Sequence, residues 1–354
     1  MSSIPETNDR RKVIVGVDTH KHIHVAVAID HHGARLGDLS VPADTGGYTQ
    51  LEQWAQALGR VDQFGIEGTG SYGAGVTSFL RRRGHRIVEV NRGDRRSRRQ
   101  NGKSDTLDAE AAARSVLAGT SAVIPKTGDG TAEMIRQIKI ARDTARKGRT
   151  SAIITLKTIV VNSPAELRES LAEMTDKQLL KRCSLYRPGD VIDTTASAKH
   201  TLRALAKRWF DLDGEIADHD RLLDRLTAEM SPTLRDGYGI GADTAAEMLI
   251  VFGDNPDRIH SEAAFAKLCG TCPVPASSGL TNKHRLYRGG HRQANAALYR
   301  TVIVRMRFHQ PTIDYVARRT TEGLSKKDII RCLKRFVARE VYQRVMFDHH
   351  ARTS

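Results

Sequence analysis

The sequence predicts an α/β sheet domain followed by two predominantly helical segments. From residue 12 to residue 124, short apolar runs alternate with helical patterns, which is typical of a mixed α/β sheet. Residues 131–162 and 196–229 carry apolar side chains at helical spacing. The predicted domains are a mixed-sheet domain at 1–125, a helical coiled-coil segment at 126–230 and a mainly helical domain at 231–354.

Each element of the sheet domain is predicted from these patterns. Two apolar runs flank a turn that contains His and Lys, a third extended run follows, and later strands alternate with helices, the last of which is rich in alanine. The predicted strands are 13–17, 25–29, 35–41, 64–66 and 86–90, and the predicted helices are 45–58, one that includes 76–80, and 105–117.

The two long amphipathic stretches are predicted to pack together as an antiparallel hairpin or a coiled coil, because each must bury an apolar face. Pro164 and Pro188 lie between them, in a segment expected to contain short helices and loops. Glycine and proline become frequent again from about residue 231, where the third domain is expected to begin.

The composition indicates a globular chain with a polyanionic partner. The chain has 354 residues, 39% of them hydrophobic, which is enough for two or three domains with apolar cores. Its formal net charge is +15, and Lys and Arg contacts to phosphates dominate non-specific nucleic-acid affinity. Net charge alone leaves a merely basic surface as an equal alternative, so the clustering of the charges must decide.

Membrane insertion and secretion are not expected. No apolar run is long enough to cross a bilayer, and residues 1–8 lack the apolar core of a signal peptide. Four cysteines in a chain of this length do not make a disulfide framework. The expected location is therefore the cytoplasm.

Four carboxylates stand at positions where ligands gather in an open sheet. Asp18 and Glu67 each end a predicted strand, while Asp105 and Asp108 open the alanine-rich helix, three residues apart on one face. Carboxylate oxygens bind Mg²⁺, which activates a nucleophile and stabilises a leaving oxygen in phosphoryl transfer. The four acids are therefore candidate metal ligands.

Each acid also has a purely structural interpretation. Asp105 and Asp108 suit the N-cap and first turn of a helix, where carboxylates are favourable without a metal. Asp18 and Glu67 suit turns at strand ends. The metal interpretation therefore depends on the whole set, at four structurally convergent places.

Three segments of the N-terminal third carry a family resemblance. They read Gly-Val-Asp-Thr-His-Lys at 16–21, Ile-Glu-Gly-Thr-Gly at 66–70 and Lys-Ser-Asp-Thr-Leu-Asp-Ala at 103–109. This part resembles the DEDD transposases of bacterial insertion sequences, the group that includes the Piv-type DNA invertases. The resemblance implies a ribonuclease-H-like domain similar to the resolvase RuvC, with Mg²⁺ bound by Asp18, Glu67, Asp105 and Asp108.

A serine pair in the C-terminal domain is followed by a run of cations. Ser277 and Ser278 precede a glycine, and the cations that follow are Lys283, Arg285, Arg288 and Arg292. Cations around a hydroxyl stabilise the charge that develops when it attacks a phosphodiester. The alternative is a basic turn that only grips the DNA backbone.

The C-terminal segments resemble the second conserved domain of the same family. They are 268–273, 278–279, 288–290 and 294–300, with Thr271-Cys272 departing from the apolar residues usual there. The resemblance implies that Ser278 is the nucleophile, with the adjacent Ser277 as the alternative. It further implies a structured guide RNA encoded by the element and a homodimer or homotetramer.

A Cys-x-x-Cys pair offers a competing metal site. Cys269, Cys272, His284 and His291 are of the types that bind zinc. Six residues separate the two histidines, whereas zinc fingers usually have about three to five. The spacing is therefore a poor match to a zinc site.

Two basic clusters occur, at 81–103 and 318–339. The first has ten cations against only Glu89 and Asp94, which favours contact with phosphates over a solvated charged face. Aromatic residues make up 5% of the chain, so backbone binding is expected rather than base stacking. The predicted nucleic-acid-binding residues are Arg95, Arg96, Arg98, Arg99, Lys103, Lys283, Arg285, Arg288 and Arg292.

Three functions remain open at this point. The first is an insertion-sequence transposase, in which a Mg²⁺ site assists attack by Ser278 on donor and target double-stranded DNA, within one protomer or across two. The second is a Mg²⁺-dependent nuclease or junction resolvase of RuvC type. The third is a non-enzymatic nucleic-acid-binding protein whose acids only cap helices. The first is favoured, because both motif sets occur in one basic chain.

Overall fold

The structure is a computed structural model that describes residues 11–90, 104–121, 123–277 and 284–353. The chain divides into two compact units. The sheet unit comprises Met1–Asp129 with Gly253–Arg258, and the helical unit comprises Gly130–Phe252 with Ile259–Ser354. A mixed sheet at the N-terminus and a mostly helical remainder are thereby confirmed, whereas the division into three domains stays a prediction.

The sheet unit contains five strands in the order β3-β2-β1-β4-β5. Its elements are β1 (Lys12–Thr19), β2 (Ile23–Asp30), β3 (Arg35–Pro42), α1 (Thr45–Leu58), β4 (Arg60–Glu67), α2 (Ala74–Arg82), β5 (Ile87–Val90) and α3 (Asp105–Leu117). The first three strands are antiparallel neighbours, and β4 and β5 run parallel to β1. The predicted elements are confirmed, with β4 longer than expected because its polar first half also pairs with β1.

The two faces of the sheet are covered by different helices. On β1, Val13, Val15 and Val17 belong to the core shared with α1 and α2. Ile14 belongs to the core on the opposite face, which is shared with α3. Because side chains alternate along a strand, Asp18 emerges on the α3 face.

Helix α3 lies directly on β1 because position 16 has no side chain. A Cβ atom at Gly16 would stand 2.0 Å from the carbonyl oxygen of Ala109 and 2.4 Å from the amide nitrogen of Ala113. The small residues Ala109 and Ala113 are fully buried there. This close approach brings the first turn of α3 to the ends of the central strands.

Residues 253–258 belong to the sheet unit, although residues 130–252, which precede them, belong to the helical unit. Asn255 donates a hydrogen bond from Nδ2 to the carbonyl of Pro125 at 3.0 Å, and its Oδ1 accepts one from the amide of Thr127 at 3.3 Å. The end of the sheet unit is therefore held by a segment more than a hundred residues away in sequence.

The helical unit contains twelve described elements. They are α4 (Thr131–Val161), α5 (Ala165–Glu169), α6 (Asp176–Ser184), α7 (Thr194–Met230), α8 (Pro232–Arg235), α9 (Ala242–Phe252), α10 (Glu262–Leu268), β6 (Pro273–Pro275), β7 (His284–Leu286), α11 (Arg292–Phe308), α12 (Gln310–Thr321) and α13 (Lys326–Thr353). Among the described residues, no helix has the length and apolarity needed to cross a membrane.

Helices α4 and α7 form the predicted antiparallel hairpin. Arg149 pairs with Asp213, and Arg142 pairs with Asp220. Residues later in α7 therefore pair with residues earlier in α4, as they must when two helices run antiparallel. One apolar core closes the far end of the hairpin around Leu156, Leu180 and Leu202. The larger core of the unit takes in the other end of α4 and α7 together with α9, α10, α11 and α13.

A buried charge network joins α4 to α9. The ammonium of Lys139, which is 5% exposed, lies 2.8 Å from Asp243, 3.1 Å from Glu247 and 3.1 Å from Asp143. Arg142 also contacts Asp243, at 2.8 Å. Burial would raise the pKa of Asp243, but the hydrogen bond and charge of Lys139 and the charge of Arg142 outweigh it and lower that pKa.

Candidate functional site

The candidate metal site lies at the carboxyl end of β1. Asp18 is 8% exposed, and its Oδ2 lies 3.2 Å from Nε2 of His20. The same imidazole nitrogen lies 3.4 Å from Oδ1 of Asp105, at the start of α3. One histidine therefore links two of the four predicted carboxylates.

Glu67 is placed beside Asp18 by the parallel pairing of β1 and β4. Val17 is the register partner of Ile66, so Asp18 and Glu67 follow at adjacent strand ends. The hydroxyl of Thr19 donates a hydrogen bond to the carbonyl oxygen of Glu67 at 2.9 Å and ties the two ends together. The carboxyl ends of parallel neighbours are where an open α/β sheet binds ligands.

The first turn of α3 supplies the remaining acids. Ser104 occupies the N-cap and Asp105 is the first helical residue, which corrects the expectation that Asp105 suits the N-cap. The side chain of Asp105 approaches His20 instead of capping the helix. Asp108 lies one turn further on and interacts electrostatically with Asp18.

The electrostatics of Asp18 are those of a crowded carboxylate. Burial raises the pKa of Asp18, the charge of His20 opposes that rise, and the charges of Asp108 and Asp105 add to it. Burial and like charges both disfavour the ionised form. A bound cation would relieve both effects at once.

The donor set fits a divalent cation. Asp18, His20 and Asp105 each offer one ligand atom, and the three atoms lie within 4.8 Å of one another. Two carboxylate oxygens and one imidazole nitrogen suit a divalent metal, and the nearby acids add negative charge. This is a group that could hold a metal ion at the place where the four acids were predicted to converge.

His20 is the residue that the sequence interpretation missed, since it was assigned only to the turn between the first two strands. The signal was its spacing, because residues two apart along a strand direction lie on one side. His20 follows Asp18 by two positions, one residue after β1 ends at Thr19.

Ser277 lies between the two strands of a short antiparallel pair. Strands β6 and β7 are antiparallel, with Val274 opposite Arg285 and Pro275 opposite His284. Ser277 is exposed two residues after β6. Ser278 and Lys283 lie outside the described residues. The other predicted cations near these two strands, Arg285, Arg288 and Arg292, are not buried.

The turn before β6 is anchored by a partly buried chain of polar groups. Nδ2 of Asn295 donates hydrogen bonds to the carbonyls of Cys269 and Gly270, at 2.8 and 3.1 Å. Its Oδ1 accepts one from Nζ of Lys334 at 2.9 Å. Burial, with a smaller effect from Arg331, lowers the pKa of Lys334. These hydrogen bonds hold the turn that leads into β6 against α11 and α13.

The competing zinc site gains no support. Within the ranges that the structure describes, Cys269, Cys272, His284 and His291 do not gather into a group of possible metal ligands. Burial raises the pKa of the Cys269 thiol to about 12.

The predicted basic residues of the sheet unit, Arg95, Arg96, Arg98, Arg99 and Lys103, lie outside the described residues. A different basic surface is described on the helical unit. An open groove of about 680 Å³, named here the basic groove, is lined by Asp143, Arg146, Lys147, Thr150, Ser151, Ile154, Thr155 and Gln293. Most of these residues recur along one face of α4 every three or four positions.

Two family models match the chain. One, described as a transposase and specific to DEDD transposases of the IS110 group, matches residues 15–162. The other, described as the transposase IS116/IS110/IS902 family, matches residues 232–317. Together they cover about two thirds of the chain. No curated protein matches the chain significantly.

These matches define the class of the protein as a transposase, an enzyme that acts on DNA. The chain belongs to the IS110 family of transposases. Its DEDD-type domain implies the use of a divalent metal, and the cluster around Asp18 is a candidate place for it.

Proposed function

We propose that this protein is an insertion-sequence transposase that cuts and rejoins DNA through a serine nucleophile assisted by a Mg²⁺ site. The metal ligands in this proposal are Asp18, Glu67, Asp105 and Asp108, and the nucleophile is Ser278. The observation that carries the metal site is the position of Asp18, buried at the carboxyl end of β1 with its ligand atom within 4.8 Å of those of His20 and Asp105. A buried acid among acids is costly without a cation, so its presence is better explained by function than by stability.

The bound cation would stabilise negative charge on the reacting phosphate. The Ser278 oxygen forms a bond to phosphorus while the bond from phosphorus to the 3′ oxygen breaks. Serine releases one proton and the departing 3′ oxygen takes up one, which leaves a phosphoserine and a free 3′-hydroxyl. Positive charge from Arg285, Arg288 and Arg292 would hold the phosphate near the serine.

The basic groove supports a DNA substrate. Arg146 and Lys147 are exposed, and the groove also offers the hydroxyls of Ser151 and Thr155. Backbone phosphates are bound by this combination of cations and hydroxyl donors. We propose that the groove holds the DNA backbone.

The finer parts of the proposal rest on the family resemblance. They are a ribonuclease-H-like identity for the sheet unit, a structured guide RNA and a homodimer or homotetramer. The strand order, with β4 parallel to β1 and β5 parallel to β4, agrees with a ribonuclease-H-like sheet. The guide RNA is expected to be encoded beside the reading frame.

The direct test looks for a covalent protein–DNA product. Full-length protein is incubated with donor DNA, target DNA, the element's RNA and Mg²⁺, and then run on a denaturing gel. The unaltered protein and Ser277→Ala are expected to retain DNA on the protein, and Ser278→Ala is expected to lose it. Undiminished adduct and strand joining with Ser278→Ala would refute the role of this serine.

The second candidate function is a Mg²⁺-dependent nuclease or junction resolvase. It is favoured by the fact that the described acidic cluster lies wholly within the sheet unit. This candidate predicts Mg²⁺-dependent hydrolytic cuts with no DNA attached to the protein. The same gel therefore separates the two functions.

A further inference from the structure

The imidazole of His20 is in contact with two acids of the metal site. Its Nε2 lies 3.2 Å from Oδ2 of Asp18 and 3.4 Å from Oδ1 of Asp105. The side chain of His20 is 48% exposed, whereas that of Asp18 is 10% exposed. The histidine is therefore accessible from solvent and faces the buried carboxylate with a nitrogen atom.

We propose that Nε2 of His20 is itself a ligand of the divalent cation, together with Asp18 and Asp105. The inference rests on the proposed metal site, and it adds a nitrogen donor to the carboxylates of the DEDD set. It changes the character of the site from purely oxygen to mixed nitrogen and oxygen.

The distances agree with shared coordination. Neighbouring ligands around a cation with bonds of about 2.1 Å lie roughly 3.0 Å apart in octahedral and 3.4 Å apart in tetrahedral geometry. The two contacts of His20, at 3.2 and 3.4 Å, fall in this range. The ligand atoms of Asp18, His20 and Asp105 are also mutually within 4.8 Å.

The local fold explains why this histidine faces the acids. The hydroxyl of Thr19 binds the carbonyl of Glu67, which fixes the chain directly between Asp18 and His20. Two other histidines follow closely and have different surroundings. His22 is exposed, and the ring of His24 is buried and stacks at 5.7 Å on Tyr48.

A nitrogen ligand should alter metal preference. Mg²⁺ binds almost exclusively through oxygen ligands, whereas Mn²⁺, a transition metal, also binds the nitrogen of an imidazole. Mn²⁺ is therefore expected to bind more tightly than Mg²⁺. His20→Ala should weaken Mn²⁺ binding by about 10- to 100-fold, the usual effect of disturbing a metal's ligand environment. Mg²⁺ binding should weaken much less.

The test uses the full chain with Mn²⁺ alone and no nucleic acid. Pulsed electron paramagnetic resonance detects the magnetic coupling between Mn²⁺ and a directly bound imidazole nitrogen. The unaltered protein and the matched control His22→Ala should show this coupling, and His20→Ala should not. His20→Gln, which offers an oxygen, should lack the coupling and retain more Mn²⁺ affinity than His20→Ala.

The outcomes separate this inference from the proposed function. Bound Mn²⁺ without nitrogen coupling in the unaltered protein overturns the role of His20 and leaves the carboxylate site standing. Coupling that survives His20→Ala overturns it as well. A chain that binds no Mn²⁺ overturns both the ligand assignment and the metal site.

Discussion

Gly16 on β1 meets the backbone of Ala109 on α3 so closely that a Cβ atom at position 16 would lie 2.0 Å from the Ala109 carbonyl oxygen. This contact sets the distance between the strand that carries Asp18 and the helix that carries Asp105 and Asp108. The geometry of the acidic cluster therefore depends on the absence of a side chain at a position that takes no part in chemistry.

Gly16→Ala is expected to destabilise the protein by about 1–3 kcal/mol or more, because backbone atoms cannot move aside as a side chain can. Displacement of α3 should also weaken divalent-metal binding. Urea unfolding measures the first effect and calorimetric titration the second.

The matched control for this substitution is Gly70→Ala. A Cβ atom at Gly70 would meet nothing within 4 Å. Its stability should change by no more than about 0.5 kcal/mol, as is usual for open surface positions. Equal stability of the two variants would show that the close approach at Gly16 is unimportant.

Asp18→Asn is expected to leave the metal-free protein as stable as before, or slightly more stable. Burial and the charges of Asp105 and Asp108 work against an ionised Asp18, and the amide removes that cost while keeping the shape. Thermal unfolding in a chelator measures this directly. A large loss of stability would mean that Asp18 serves the fold rather than a ligand.

The charge network of the helical unit predicts a defined pH dependence. The pKa of Asp243 is lowered below its ordinary 3.8 in the folded protein. Its stabilising contribution is therefore fully present above that value and is lost as the pH falls through the lowered pKa. Asp243→Asn should destabilise by about 1–3 kcal/mol near neutrality, between the values for exposed and buried pairs.

The measurement is urea unfolding of the unaltered protein and Asp243→Asn between about pH 7 and pH 3. The difference between them should shrink at the acid end. Asp218→Asn is the control, because Asp218 pairs with Arg221 on the exposed face of α7, where both side chains are more than half exposed. Its effect should stay below about 1 kcal/mol. A difference for Asp243→Asn that grows on acidification would contradict the sign.

The basic groove predicts a salt-dependent loss of DNA affinity. The double variant Arg146→Glu, Lys147→Glu should weaken duplex binding and reduce the slope of log affinity against log salt by roughly 2, near 0.9 for each lost phosphate contact. Fluorescence anisotropy with a labelled duplex over a salt series gives this slope.

Helix α7 offers a matched control for the groove variant, since Lys207 and Arg208 are also an adjacent and exposed basic pair. Lys207→Glu with Arg208→Glu makes the same change in net charge away from the groove lining. For this control variant, the slope of log affinity against log salt should be close to that of the unaltered protein. An equal loss in both double variants would mean that only net charge matters.

Much of the fold was predictable because apolar periodicity follows burial. Helices α1 and α3 begin and end where the pattern predicted, and the long hairpin follows from its apolar stripes. The pairing of Lys139 with Glu247 was not predictable, since polar residues on apolar faces reveal no partner. It depends on α4 and α9 meeting in three dimensions.

The candidate site was predictable in part. Strand ends and a helix start identified the four acids, and the parallel register of β1 and β4 explains why two of them are neighbours. The contact of His20 with Asp105 was not predictable, because it joins a turn to a distant helix. The close approach at Gly16, which makes that contact possible, depends equally on tertiary packing.

The central claim is that the acids around Asp18 bind a divalent cation. Calorimetric titration of Mg²⁺ and Mn²⁺ into the full-length protein, without nucleic acid, tests it most directly. The unaltered protein should bind both ions, and Asp18→Asn should bind each at least about tenfold more weakly while remaining folded. Equal binding by Asp18→Asn, or no binding by the unaltered protein, would contradict the account.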